Sequence, residues 1–171
     1  LTAYSRYDGF YLAIVWSASF ACLLGTAFLP VLAQFSLLLT LSTPFFVAYR
    51  LRVFREEGRR GIISYRRSLL YCLRVFFNAA LIFSLLQWLY MYFIDNGRLL
   101  MMVSGLYSSS EGKSTLAAVG IPYNEFMAAL PEAFQPYSLA SSSFVSAIML
   151  GGVCSLFIAA VMSKQVKSRD L

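Results

Sequence analysis

Two stretches of this chain carry residue types that do chemistry. The first, Ser108-Ser109-Ser110-Glu111-Gly112-Lys113-Ser114-Thr115, ends the way a phosphate-binding loop ends. Such a loop reads G-x-x-x-x-G-K-[ST] between a strand and a helix, because its first glycine makes the turn that lets backbone N–H groups surround a phosphate. That glycine belongs at position 107, which is Tyr107; Gly105 comes too early, and the run Leu99–Leu106, broken by two Met and a Gly, does not read as a strand. A polar Ser/Gly loop without nucleotide is expected. The second stretch, RLRVFREEGRRGIISYRR from Arg50 to Arg67, holds seven guanidiniums. Guanidinium groups match carboxylates and phosphates bidentately and attract anionic lipid. Arg52, Arg55, Arg59, Arg60, Arg66 and Arg67 are therefore the candidates for binding a partner or a lipid headgroup. Arg74 and Asn78, four apart on one helix face, join them, although for these two a bond to a neighbouring helix backbone is the expected role.

Other chemistries find little support. The chain has no His, and Cys22, Cys72 and Cys154 lie in apolar runs without ligand spacing, so no metal and no cofactor is expected. Glu125 and Glu132 stand on opposite sides of Pro131 and make no acid–base pair. No Asp or Glu is expected inside an apolar span, which argues against a proton relay. No folded nucleic-acid reader is recognisable around the arginines.

The elements that must position these residues follow from composition. Of 171 residues, 59% are apolar and 13% charged, against about 25% charged in a soluble domain. No charge occurs from Gly9 to Tyr49, 41 residues with Pro30 near the middle. That is two spans of about 20 residues, near 10–28 and 31–49, joined by a tight turn. Further spans are expected near 69–93 and 144–162. Between the second and third spans, residues 50–68 carry a net +5, whereas 94–143, between the third and fourth, carry −2. Positive charge stays cytoplasmic, so the arginine-rich loop and both termini are expected inside and 94–143 outside. The fold expected is a single all-α membrane domain over 1–171: a four-transmembrane-helix bundle with a largely helical extracytoplasmic segment between helices 3 and 4.

Small residues recur every fourth position in two spans. Gly9, Ala13, Ser17, Ala21 and Gly25 mark the first; Ala147, Gly151, Ser155 and Ala159, flanked by Ser143 and Ser163, mark the fourth. Such ridges let helix backbones approach closely. Pro44 is expected to bend the second span, Ser64 to cap the third helix, Leu99–Leu106 and Tyr123–Leu130 to form short helices, and Ser108–Ser110 and Ser141–Ser143 to act as links.

Several short motifs add up to a resemblance. They are Tyr7-Asp8-Gly9-Phe10, Ser42-Thr43-Pro44-Phe45, Tyr49-Arg50 through Phe54-Arg55-Glu56, Gly61-Ile62-Ile63-Ser64-Tyr65 and Tyr92-Phe93-Ile94-Asp95-Asn96-Gly97. Over residues 7–97 the chain resembles the DUF4199 membrane proteins of Bacteroidota. The remainder matches in layout. The resemblance implies a four-span protein of the bacterial inner (cytoplasmic) membrane, multi-pass, of unassigned activity. It implies a setting beside a membrane glycosyltransferase, in lipid-linked sugar or envelope metabolism, and it transfers no functional residue. Composition and resemblance together lead to the expectation of a non-enzymatic accessory subunit that anchors or organises another membrane or membrane-associated protein and contacts anionic lipids. The alternative is a carrier or flippase-like protein for a phosphorylated lipid.

Overall fold

A computed structural model describes residues 2–59 and 61–163, with Thr2 and Arg59 described as backbone only. The expectations for Arg60 and for the Arg59 side chain lie outside the described residues, as does the charge of the tail from Lys164 onward. Seven α-helices follow one another: α1 Thr2–Gly25, α2 Leu32–Arg59, α3 Tyr65–Tyr90, α4 Arg98–Ser108, α5 Ser110–Ala118, α6 Tyr123–Ala133 and α7 Pro136–Met162, with a π-helical turn, Met91–Asp95, after α3. No β-strand occurs among the described residues. The chain divides into two compact units, residues 1–83 with 144–171, and residues 84–143.

Four helical stretches, Ala3–Gly25, Leu32–Gly58, Tyr65–Asp95 and Pro136–Met162, are long and apolar enough to cross a membrane. Their outward faces are apolar as well: Leu38 is 61% exposed, Phe45 77% and Phe157 69%. Water would penalise such a surface, and hydrocarbon does not.

In the first unit, α1 and α2 form the expected hairpin. The turn at 26–31 closes through Phe28 and Leu29 N–H donating to Gly25 O, both at 3.0 Å. Where the two helices meet, Trp16 Nε1 donates to Thr43 Oγ1 at 3.0 Å. Ser19 Oγ donates to Ser36 O at 2.9 Å and lies 3.0 Å from Thr40 Oγ1. Hydrogen bonds of this kind in hydrocarbon contribute roughly 0.6 kcal/mol each. The core joins Leu12 and Ala13 of α1, Val47, Leu51 and Phe54 of α2, Tyr71, Val75 and Phe76 of α3, and Ile158 of α7.

The small-residue ridges serve this packing in part. A Cβ added at Gly9 would lie 2.6 Å from Asn78 Cβ and 3.0 Å from Val75 O, so α1 crosses α3 there at near backbone contact. Ala13 is buried, but Ala21 is exposed, Ser17 turns its hydroxyl to Ala13 O of its own helix, and Gly25 meets Leu32 of α2. Four residues advance a helix about 40° past a full turn, so a ridge of five positions winds away from the neighbour it starts on. In α7, Gly151, Ser155 and Ala159 are buried and Ala147 is half-buried; Gly151 seats Phe76 of α3, whose Cγ would be 2.6 Å from an added Cβ.

Helices also begin and end where apolar content alone does not place them. The segment 50–68 is mostly helix, as the spacing of Arg50, Val53, Phe54 and Glu57 along a continuation of the second span predicts: α2 runs on to Arg59, Gly61 stops it at φ +85°, and α3 starts one residue after Ser64. α7 starts eight residues before the expected span, at Pro136, a residue suited to a first helical position because it lacks an N–H. Ser141–Ser143 are thus helix rather than a link. Ser141 and Ser142 hydroxyls donate to Ser138 O and Leu139 O of their own helix, which satisfies them inside it.

In the second unit, the Glu111-Gly112-Lys113-Ser114 stretch is a helix start and not an extended loop. α4 precedes it with Ser109 alone between, and Ser109 Oγ caps α5 by accepting from Gly112 N–H at 3.0 Å. Gly112 lacks a Cβ because one would lie 2.5 Å from both Leu106 O and Tyr107 Cα. Lys113 Nζ sits over the Tyr123 ring, 5.1 Å from its centroid. The glycine therefore serves helix packing, and its N–H is already engaged. Ser109→Ala should lower the stability of this unit by about 1 kcal/mol, the usual worth of an N-cap; loss of hydrogen-exchange protection confined to α5 is the readout. At the other end of α5, Gly120 at φ +73° closes a Schellman motif, with Ile121 N–H donating to Leu116 O and Gly120 N–H to Ala117 O.

Candidate functional site

A buried carboxylate lies in the first unit, near the start of α1, among residues of α2 and α3. Asp8, on α1, is 1% exposed. Arg50 of α2 reaches it from 42 residues away, with Nε donating to Oδ1 and Nη2 paired with the same oxygen. Tyr71 of α3, 63 residues away and fully buried, donates its hydroxyl to Oδ2. One carboxylate thus accepts from two other helices. Arg50 keeps 27% of its side chain exposed and lies 5.8 Å from the centroid of the Tyr11 ring.

The surrounding aromatic groups hold the three partners in place. Phe54 stacks on Tyr71 with ring centroids 4.8 Å apart and an interplanar angle of 10°. Tyr4 also packs against Phe54, with ring centroids 5.4 Å apart and the planes tilted by 58°. Gly9, next in chain to Asp8, permits the close crossing with α3 that brings the carboxylate to Tyr71. A buried ion is costly unless its remaining lone pairs are satisfied, and here both carboxylate oxygens are engaged. The arrangement is that of a polar lock joining three helices.

The expectation that no carboxylate lies within a span is corrected by Asp8. A hydropathy window stops at the first charge, but α1 starts at Thr2 and runs straight through it. One signal in the sequence did point to it. Asp8 and Arg50 flank the uncharged run 9–49 at its two ends, and folding that run into a hairpin returns its ends to each other.

The other candidate residues separate into distinct groups. Arg55 is turned inward, its side chain 11% exposed; Nη1 donates to Met162 O at 2.9 Å. It caps the last carbonyls of α7, where a cation also meets the negative end of the helix dipole. Arg52 is exposed and bonded to Glu56 at 2.9 Å within its own helix. Arg66 and Arg67 are exposed on the first turn of α3, with no carboxylate partner among the described residues. Asn78 donates to Arg74 O at 2.7 Å, a carbonyl of its own helix and not, as expected, of a neighbouring one, and the Cβ of Asn78 faces Gly9 of α1. Arg74 is exposed and borders a cleft between α3 and α7 of about 280 Å³. The three cysteines are free. Among the described residues, no three His, Cys, Asp or Glu side chains come together as metal ligands would.

Helices without strands among the described residues, four of them of spanning length, and an apolar exterior together define an all-α membrane protein. The chain belongs to the DUF4199 family, described as a protein of unknown function, which it matches over residues 7–164. No curated protein and no solved structure matches it.

Proposed function

We propose that this protein is a non-catalytic subunit of a membrane assembly, and that it docks an acidic partner protein on a collar of exposed arginines. In this reading the chain crosses the bacterial inner membrane four times, with both termini and the collar in the cytoplasm. The excess of arginine between the second and third spanning helices supports that orientation. The observation that carries the docking role is the setting of Arg52, Arg66 and Arg67. They are exposed on the last turns of α2 and the first turn of α3, and the same two helices are cross-linked through Asp8 by Arg50 and Tyr71. Rigid placement lowers the entropy lost when charged side chains engage a partner. The partner is an acidic face of another membrane protein, and a membrane glycosyltransferase is the candidate implied by the family resemblance.

Purification of the full chain in mild detergent, followed by mass spectrometry, is the test. A stoichiometric partner is expected with the native chain. Arg52→Glu/Arg66→Glu/Arg67→Glu should weaken its retention at least about tenfold, since each inverted rim charge turns attraction into repulsion. Recovery of a lone protein, or a partner indifferent to the triple variant, would end the docking reading. Labelling from intact cells tests the orientation: an impermeant reagent should reach a cysteine placed at Lys113 and miss one placed at Arg66.

A further inference from the structure

We propose that α4 is an interfacial helix, sunk into one surface of the bilayer by Met101 and Leu106, and that it seats the second unit on the lipid. Residues 99–110 contain no charge. On its inner side α4 buries Leu99. On its outer side it exposes Met101 (64%), Leu106 (65%) and Gly105. A helix that is apolar on both sides needs a cover on both. The other two helices of this unit differ. α5 exposes Glu111 and Lys113, and α6 exposes Glu125 and Glu132, so water serves their outer sides.

Chain connectivity says what covers α4. Two residues, Asn96 and Gly97, separate it from the spanning stretch that ends at Asp95. Two more, Phe134 and Gln135, separate α6 from the spanning helix that starts at Pro136. Two residues reach about 7 Å at full extension, so both ends of the α4–α6 segment are held at the membrane boundary. Aromatic side chains mark that boundary. Trp88 stacks on Tyr92 with ring centroids 5.5 Å apart, and Tyr137, the second residue of α7, is exposed. Tyr92, Phe93 and Ile94 are exposed too. The apolar surface of the spanning stretch therefore runs up to the connector and resumes on α4. An interfacial helix sinks about 5–10 Å into the boundary between headgroups and acyl chains, a depth of the same order as the connector's reach. Charge is not the hold. Residues 84–143 carry Asp95, Glu111, Glu125 and Glu132 against Arg98 and Lys113, so apolar area draws the helix down and a neutral lipid suffices. The inference needs neither the arginine collar nor a particular orientation of the chain, so it and the docking reading stand or fall separately.

Hydroxyl-radical footprinting of the full chain, one copy per nanodisc of phosphatidylcholine, tests this. Met149, at the middle of α7, is as exposed as Met101, 68% against 64%, and is the internal standard for a methionine covered by lipid. The two should be oxidised at similar low rates. Ala128→Met supplies the standard for water, because Ala128 is exposed on the face of α6 that carries Glu125 and Glu132. The substituted side chain should react at least about tenfold faster than Met101, since the acyl region excludes the water in which the radicals form. Phosphatidylglycerol in place of phosphatidylcholine, or added salt, should leave that ratio unchanged. Met101 oxidised about as fast as the substituted position would overturn the proposal. If the Ala128→Met chain fails to fold, the unaltered chain decides alone, and a Met101 at least about tenfold faster than Met149 overturns it. Protection found in native membranes but not in nanodiscs would give the face to a partner protein, and protection that requires two copies per nanodisc would give it to a second copy; either outcome ends the proposal.

Discussion

Arg50→Ala is expected to destabilise the first unit by about 4 kcal/mol, because it strands a carboxylate inside the helix packing. Asp8 is 1% exposed and loses a partner that supplies both an ion pair and a hydrogen bond. Asp8→Ala should cost somewhat less, about 3 kcal/mol, since Arg50 is 27% exposed and can turn toward the surface once its partner is gone. The informative variant is the double one. Asp8→Leu/Arg50→Met removes both charges and fills the space with apolar atoms, so it should recover most of the loss and be more stable than either single variant. Unfolding in detergent of the native chain, Asp8→Leu, Arg50→Met and the double variant, read as a double-mutant cycle, measures this. If the two single losses simply add, the pair is not coupled and the three-helix lock is wrong. Tyr71→Phe removes one hydrogen bond to a charged group, and a smaller loss of about 2 kcal/mol is expected.

The second large effect is steric. Gly9→Leu should separate α1 from α3 and cost about 3 kcal/mol or more, at the upper end of what overpacking does. Of the three atoms nearest an added Cβ, Val75 O at 3.0 Å and Ala79 N at 3.3 Å are backbone, and Asn78 Cβ at 2.6 Å is the root of its side chain. None of them can swing aside, so the helices must part, and Asp8 moves away from Tyr71 as they do. Gly105→Ala in α4 is the control. A Cβ there meets nothing within 4 Å, so alanine should stabilise by up to about 1 kcal/mol through helix propensity alone. Thermal unfolding midpoints of the two variants in the same detergent should shift in opposite directions. A Gly9→Leu chain as stable as the native one would remove the close crossing on which the placement of Asp8 depends.

The class of the protein was legible in its composition, because the choice between water and hydrocarbon as solvent depends on summed apolar area and on the length of uncharged runs. Both are local quantities. The run 9–49 with Pro30 at its centre specified a helical hairpin, and α1 and α2 form one. The small residues at every fourth position pointed to close helix contact, which Gly9 and Gly151 make. Of the candidate arginines, the exposure of Arg52, Arg66 and Arg67 agreed with their position at helix ends.

Sequence alone left the pairings open, because a pairing depends on helix rotation and crossing, which no linear spacing contains. One residue turns a helix by about 100°, so small errors in phase decide whether a side chain meets a neighbour or the lipid. Ala21 belongs to the same spacing as Gly9 and yet faces outward. Arg55 and Arg52 differ by three positions, and one caps α7 while the other stays exposed. Asp8 became an interior residue only when the hairpin returned Arg50 to it and the crossing at Gly9 brought up Tyr71. Composition thus determined the surroundings of the chain, and tertiary packing decided which of its few charges those surroundings would bury.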